Sequence, residues 1–182
     1  MKKKSKKGKV IILKGSPGVG KSFTARKLIS RIKTTKTARI SIDEVLHFDQ
    51  RRNLTKDKLK LAKFHTAIMV RSFLREGFDV VIEYTFDLPE HLEFLIDKIQ
   101  RSHAEKLRAA DIHIFHLTAS IKEVEKRNKT RKDGSDPLPA GTLKKLYKSC
   151  EKTAGRVQGE IIINTDKVPV KKAVEKIMGT VR

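Results

Sequence analysis

Gly15-Ser16-Pro17-Gly18-Val19-Gly20-Lys21-Ser22 fits the pattern G-x-x-x-x-G-K-[ST]. Each residue type in that spacing has a chemical use. Glycines let successive backbone N–H groups turn inward around phosphate oxygens. A helix beginning at the lysine adds the positive end of its dipole. The Lys21 ammonium reaches β- and γ-phosphates, and the Ser22 hydroxyl can hold magnesium. The expected nucleotide-binding run is Gly15 to Ser22 with Phe23 following it. The chemistry such a loop can serve is binding of a nucleoside triphosphate with Mg2+ as a phosphoryl donor.

Two carboxylates stand where such a reaction needs them. Asp43 follows Ile42 at the expected end of the second strand. In an open parallel sheet the ligand crevice lies at the carboxyl ends of the strands. A carboxylate there can take the proton from an acceptor hydroxyl as it attacks the γ-phosphate. Glu44 is its immediate neighbour and competes for the same role. Glu83 ends the third strand, where it can support magnesium through water or orient the acceptor; Thr85, two residues on, can serve the same loop. Arg127 and Arg131 are four apart at the end of a helix and would share a face if the helix ran through both. Guanidinium groups over a moving phosphoryl neutralise its charge.

The elements that must position these residues follow from periodicity. Lys9 to Lys14 is a short buried-strand pattern closed by glycine, and Ser22 to Lys33 has helical spacing. Strands are expected at Ala38–Ile42, Asp79–Tyr84, Asp111–Leu117 and Glu160–Asn164. Helices are expected at Thr55–Gly77, Pro89–Glu105, Ser120–Asn128, Ala140–Lys152 and Pro169–Gly179. Residues 129–139 are polar and basic and contain Gly and Pro, which reads as a mobile loop. The alternation β-α-β-α-β-α-β-α-α-β-α means a parallel sheet with helices on both faces. The expected organisation is a basic disordered arm over 1–8 and one domain over 9–182, with a lid at about 127–139.

Composition narrows the class. At 182 residues the chain is one domain that can bury its own core. No uninterrupted apolar run exceeds four residues, so nothing in it reads as a membrane span. The basic start is followed too soon by a glycine-rich loop to be a signal peptide. A single Cys, Cys150, excludes an intramolecular disulfide framework, and the chain reads as cytoplasmic. The six histidines, His65, His113 and His116 among them, show no metal-ligand spacing. With 42 Lys and Arg against 21 Asp and Glu, the formal net charge of +21 favours a polyanionic partner, RNA or DNA. With no Trp and few aromatics, a base-stacking platform is weakly supported.

Other nucleotide-binding classes fit less well. A GTPase needs N-K-x-D to read its base, and both Asn128-Lys129-Thr130-Arg131 and Asn164-Thr165-Asp166-Lys167 miss it. A motor ATPase usually shows a strand ending in Asp-Glu, whereas the third strand here ends Val80-Val81-Ile82-Glu83-Tyr84. From the P-loop onward the chain resembles the P-loop kinases that include phage-type polynucleotide kinases, zeta-toxin-like kinases and chloramphenicol phosphotransferases. After the P-loop, the resemblance rests on Lys126-Arg127-Asn128-Lys129-Thr130-Arg131 and on Pro137 to Ser149, which look like the lid and following helix of the polynucleotide kinases.

That resemblance implies a five-stranded sheet in the order 2-3-1-4-5 and Asp43 as general base. It also implies Arg127 near the adenine and Arg131 on phosphate. The chain departs from the phage pattern on the acceptor side. The arginine expected three residues after the catalytic aspartate is Leu46, and the acid expected before Thr85 is Tyr84. Arg51 and Arg52 are candidates to replace the missing arginine. The expected activity is an ATP-dependent kinase acting on a hydroxyl, with the 5′-OH of RNA or DNA leading. A small-molecule acceptor and a nucleic-acid-binding ATPase without an acceptor are the alternatives.

Overall fold

The structure is a computed structural model that describes residues 8–32, 36–48, 54–101, 110–131 and 136–181. The expected basic arm up to Lys7, the Arg51–Arg52 pair and part of the lid (132–135) lie outside them. Gly8 is already within the fold: its carbonyl accepts from the Asp111 N–H at 3.1 Å.

Five strands form one sheet: β1 (Lys9–Lys14), β2 (Lys36–Ser41), β3 (Phe78–Glu83), β4 (Asp111–Thr118) and β5 (Glu160–Asn164). Every pairing is parallel, in the order β2-β3-β1-β4-β5. This is the α/β fold with a parallel sheet that the alternation predicts, in the strand order that the resemblance implies. β1 is central, which is why Val10-Ile11-Ile12-Leu13 is apolar on both faces. Val10 and Ile12 point into one core, and Ile11 and Leu13 into the other.

Among the described residues seven helices accompany the sheet: α1 (Lys21–Arg31), α2 (Ile42–Val45), α3 (Lys56–Arg75), α4 (Pro89–Gln100), α5 (Ile121–Lys129), α6 (Ala140–Lys152) and α7 (Val170–Thr180). The first core takes Ala62, Ala67 and Val70 of α3 and Leu92, Leu95 and Ile99 of α4. The second takes Ala25 and Leu28 of α1, Val124 of α5, and Ala173, Val174 and Ile177 of α7. α6 contributes Leu143 to the second core, yet its Ser149 hydroxyl donates to the Asp87 carbonyl in the loop after β3 at 3.1 Å. It therefore ties the two sides together at the carboxyl edge. No helix among the described residues is long and apolar enough to cross a membrane.

Two expectations need correction. β2 stops at Ser41, and Ile42 opens the short helix α2, continued by one 3-10 turn over Leu46–Phe48. Four residues are too few to show a helical period, so the strand pattern was extended one residue too far into Ile42. The second concerns α5, which ends at Lys129 with Thr130 as its C-cap. Arg127 and Arg131 are therefore not on one helix face; Arg131 already belongs to the following loop.

Candidate functional site

The loop from β1 to α1 is built by backbone geometry. Gly15, Gly18 and Gly20 have φ of 135°, 83° and 95°, values that favour glycine. A Cβ on Gly15 would lie 2.2 Å from the Leu117 carbonyl oxygen of β4. The Gly15 N–H donates to Thr85 O at 3.2 Å, so the loop after β3 braces the glycine loop. α1 opens on Gly20 without a side-chain cap and with no acid in its first turn. Its N-terminal N–H groups thus meet no carboxylate of their own helix, which suits an anion.

Lys21 sits at the first position of α1, its Nζ donating to Gly15 O at 2.9 Å and Ser16 O at 3.0 Å. The ammonium thus closes the cradle that a phosphate would enter. Burial pulls its pKa below the ordinary lysine value, while Asp43, Cys150 and Glu83 push it back up. Ser22 is half-buried in the same turn. Phe23 is 51% exposed, and the Lys27 ammonium lies 5.8 Å from the centre of its ring. A Phe23 contribution to a nucleotide site would accordingly come from its backbone.

Asp43 lies in the first turn of α2, at the carboxyl end of β2. The side chain is open to solvent, but the cleft walls restrict the water around it. This crowding raises its pKa above the ordinary carboxylate value. Lys21 opposes the rise, the Glu83 charge adds to it, and Arg131 and His47 oppose it. The charges of Asp43, Glu83 and Arg131 thus act on Lys21, and those of Lys21, Glu83 and Arg131 on Asp43. Arg131 also donates to Asp136 O at 3.4 Å.

Glu83 is 2% exposed at the end of β3. Arg39 of β2 takes its Oε1 from two sides, through Nε at 2.6 Å and through Nη2. Oε2 is buried with no hydrogen-bond partner among the described residues. Sequence reasoning missed Arg39 as the partner of Glu83. The available signal was a charged residue within the otherwise apolar pattern Ala38-Arg39-Ile40-Ser41-Ile42.

Arg127 of α5 reaches the loop after β5. Its Nε donates to Glu123 Oε1 at 2.9 Å, and its Nη1 and Nη2 donate to Thr165 Oγ1 and O at 3.0 and 3.3 Å. The Thr165 hydroxyl lies 3.1 Å from Val19 O and 3.0 Å from Thr118 O. The guanidinium is therefore braced against the glycine loop and the loop after β5. Thr165 was also missed, although it is the first residue after a parallel strand, where ligand loops begin.

On the acceptor side, Leu46 is buried in the first core. It supplies packing at the position where the phage pattern has its arginine. Tyr84 packs edge-on against Phe86, and its burial raises the phenol pKa. Phe86 has φ of 44°, an uncommon backbone conformation next to the cleft. Lys63 of α3 is buried nearby; burial lowers its pKa, against the pull of Asp87 and Glu90. His113 and His116 lie in β4 and His65 in α3. Among the described residues no group of three His, Cys, Asp or Glu is placed to hold a metal ion. Cys150 is buried and its thiol is pushed up to about 12, chiefly by burial, which makes it a poor nucleophile.

The family described as an AAA domain matches residues 10–153, from the first core strand to the end of α6. The chain belongs to that family. This AAA domain has a P-loop kinase-like fold, and its solved structural neighbours include kinases. A sugar kinase from Janibacter sp. HTCC2649 superposes with a TM-score of 0.70 at 13% identity, over 94% of this chain and 93% of that one. The Mycobacterium tuberculosis APS kinase CysC, solved with AMPPNP and APS, gives 0.67 at 14% identity, over 95% and 96%. A chain of the Pnkp1/Rnl/Hen1 RNA repair complex gives 0.67 at 19% identity, over 86% of this chain and 48% of that one. Among curated proteins nothing matches. At these identities the likeness concerns the fold of the AAA domain; the acceptor is a separate question.

Proposed function

We propose that this chain is an ATP-dependent phosphotransferase whose acceptor is a hydroxyl. The observation that carries the reading is the glycine loop between β1 and α1, whose helix has no acid in its first turn, with Asp43 just past the end of β2 and Glu83 at the end of β3. Asp43 takes the acceptor proton as the acceptor oxygen bonds to the γ-phosphorus. The bond from the γ-phosphorus to the bridging oxygen breaks, and ADP leaves with that electron pair. Lys21 and Arg131 offset the charge on the moving group. Gly15 to Ser22 and the Phe23 N–H cradle the phosphates, and Arg127 borders the base.

The residues present fit a magnesium ion. Glu83 Oε2 is a buried carboxylate oxygen in need of a partner, and Ser22 stands at the start of α1. Two side chains are too few for a protein cage, which suits Mg2+ brought in largely by phosphates and water. When bound, it would neutralise phosphate charge; Ser22 would hold it directly and Glu83 through water.

The 5′-OH of RNA or DNA leads as acceptor, because +21 suits a polyanion and the lid resembles the polynucleotide kinases. A small-molecule hydroxyl is the second reading. It is favoured by Leu46, whose buried side chain cannot clamp an acceptor phosphate.

The deciding assay uses γ-labelled ATP, Mg2+ and a panel of single- and double-stranded 5′-hydroxyl RNA and DNA, with Lys21→Ala as control. Label at the 5′ end, lost in Lys21→Ala, supports the leading reading. ATP binding without label on any oligonucleotide overturns it and sends the same assay to nucleosides and other small hydroxyl compounds. ATP hydrolysis stimulated by RNA, with no acceptor labelled, would indicate a nucleic-acid-binding ATPase.

A further inference from the structure

Arg39 lies on the outermost strand of its side of the sheet, yet its side chain is directed to the site. β2 and β3 pair Arg39 with Val81 and Ser41 with Glu83, so the guanidinium runs along β2 to reach the carboxylate at the strand end. Both Nε and Nη2 contact Oε1 of Glu83, and Nη2 also lies 3.1 Å from Glu44 Oε1 in α2. This fork restrains the carboxylate's rotation. It also joins the end of β3 to the turn that carries Asp43.

An ordinary structural ion pair at a strand end leaves both carboxylate oxygens bonded or wet. Here Oε1 is held twice, while Oε2 is buried and has no hydrogen-bond partner among the described residues. Leaving a buried acceptor unmet costs stability, so its persistence calls for a ligand that supplies a donor or a cation. Lys21 is close enough for its charge to be felt by Glu83, yet its ammonium is engaged by the Gly15 and Ser16 carbonyls. The Glu83 charge, together with that of Glu44, raises the Arg39 pKa despite the opposing effect of burial. The guanidinium therefore keeps its charge and its grip.

We propose that Arg39 is a positioning residue. By holding Glu83 Oε1, it presents Oε2 to the hydrated divalent cation that enters with the nucleotide phosphates. The proposal rests on the phosphotransferase reading. It adds a residue that touches neither nucleotide nor metal and acts through Glu83. Arginine suits the task because its planar fork spans two carboxylates at once, which an ammonium cannot do.

The test measures affinity for a ribose-labelled fluorescent AMPPNP in Mg2+ and in EDTA, for wild type, Arg39→Met, Arg39→Lys, Glu83→Gln and Arg39→Met/Glu83→Gln. In wild type Mg2+ is expected to tighten binding. Loss of an outer partner of a metal ligand typically costs about 10–100-fold in metal affinity. Arg39→Met is expected to lose that much of the Mg2+-dependent tightening and to keep its affinity in EDTA. Arg39→Lys should recover part of the loss, and the double variant should be no worse than Glu83→Gln. A merely structural role would lower thermal stability and weaken binding alike in both media, leaving their ratio unchanged. Wild-type tightening in Arg39→Met, with tightening lost in Glu83→Gln, overturns the Arg39 assignment and spares Glu83. Wild-type tightening in both overturns the role of Glu83 as well. If wild type binds in neither medium, the phosphotransferase reading itself fails. If Arg39→Met does not fold, Arg39→Lys decides by the same ratio, and a wild-type ratio again overturns the proposal.

Discussion

Asp43 sets the pH dependence expected of this site. Its carboxyl is raised above the ordinary value by its surroundings, with Lys21 opposing the rise. A general base acts only when deprotonated. Transfer should therefore increase with pH through a midpoint above the ordinary carboxylate range, and fall below it. Asp43→Asn should remove that acidic limb and lower transfer by about 10²–10⁴-fold, leaving ATP affinity nearly intact. Rate profiles from pH 4 to 9 for both proteins, with an equilibrium binding measurement, check this; a wild-type rate in Asp43→Asn removes Asp43 as the base. Lys21→Ala acts earlier, since it takes away the ammonium that closes the glycine loop, and it should abolish transfer.

The glycine loop matters as an element because β1 and β4 close around it. Gly15 has φ of 135°, and a Cβ there would lie 2.2 Å from Leu117 O, which is backbone and cannot rotate away. Gly15→Ala should lower stability by about 1–3 kcal/mol and weaken nucleotide binding, as read by thermal unfolding and titration with an ATP analogue. Unchanged unfolding and binding would show that β4 yields at no cost. The short helix α2 has the opposite character: four residues without internal periodicity, anchored by buried Ile42 with Leu46 after it. It exists because those two side chains reach the first core. The core thus decides where Asp43 points.

At the scale of the molecule, a buried polar cluster joins three strands beneath the site. Glu160 at the start of β5 lies 3.1 Å from Lys14 Nζ and 2.6 Å from His116 Nδ1, with all three side chains fully buried. Burial alone would raise the Glu160 pKa; His116 and Lys14 outweigh it, and the net shift is downward. The sign follows from linkage. A lowered carboxylate contributes stability above its unfolded pKa and loses it as pH falls through the folded value. Glu160→Gln leaves Lys14 and His116 without their anion and should cost about 3–5 kcal/mol at neutral pH. It should also flatten the acid limb of the stability profile. Urea unfolding at several pH values tests both, and wild-type stability in Glu160→Gln would rule the cluster out as a structural requirement. The net charge of +21 makes a separate prediction. Binding of a single-stranded oligonucleotide should weaken linearly on a log–log salt plot, with a slope of about −0.7 per phosphate neutralised. A flat response would exclude the polyanion as partner.

The order of the strands and of the longer helices and the location of the glycine loop were legible in the residues, because both are local. A buried parallel strand is a short apolar run, a helix repeats every 3.6 residues, and the loop pattern is contiguous. α6 and β5 were read with their observed ends, Ala140–Lys152 and Glu160–Asn164. Asp43 and Glu83 were singled out by their place at the expected strand ends, a rule that needs only the order of elements. The relations made across strands and loops were not legible. Arg39 on Glu83, Thr165 between Arg127 and Val19, and Glu160 between Lys14 and His116 all link residues far apart in the chain. They depend on which strands are neighbours and in what register, and on which face of each strand a side chain leaves. Those are set by packing the two cores against one sheet, so only the tertiary structure decided them.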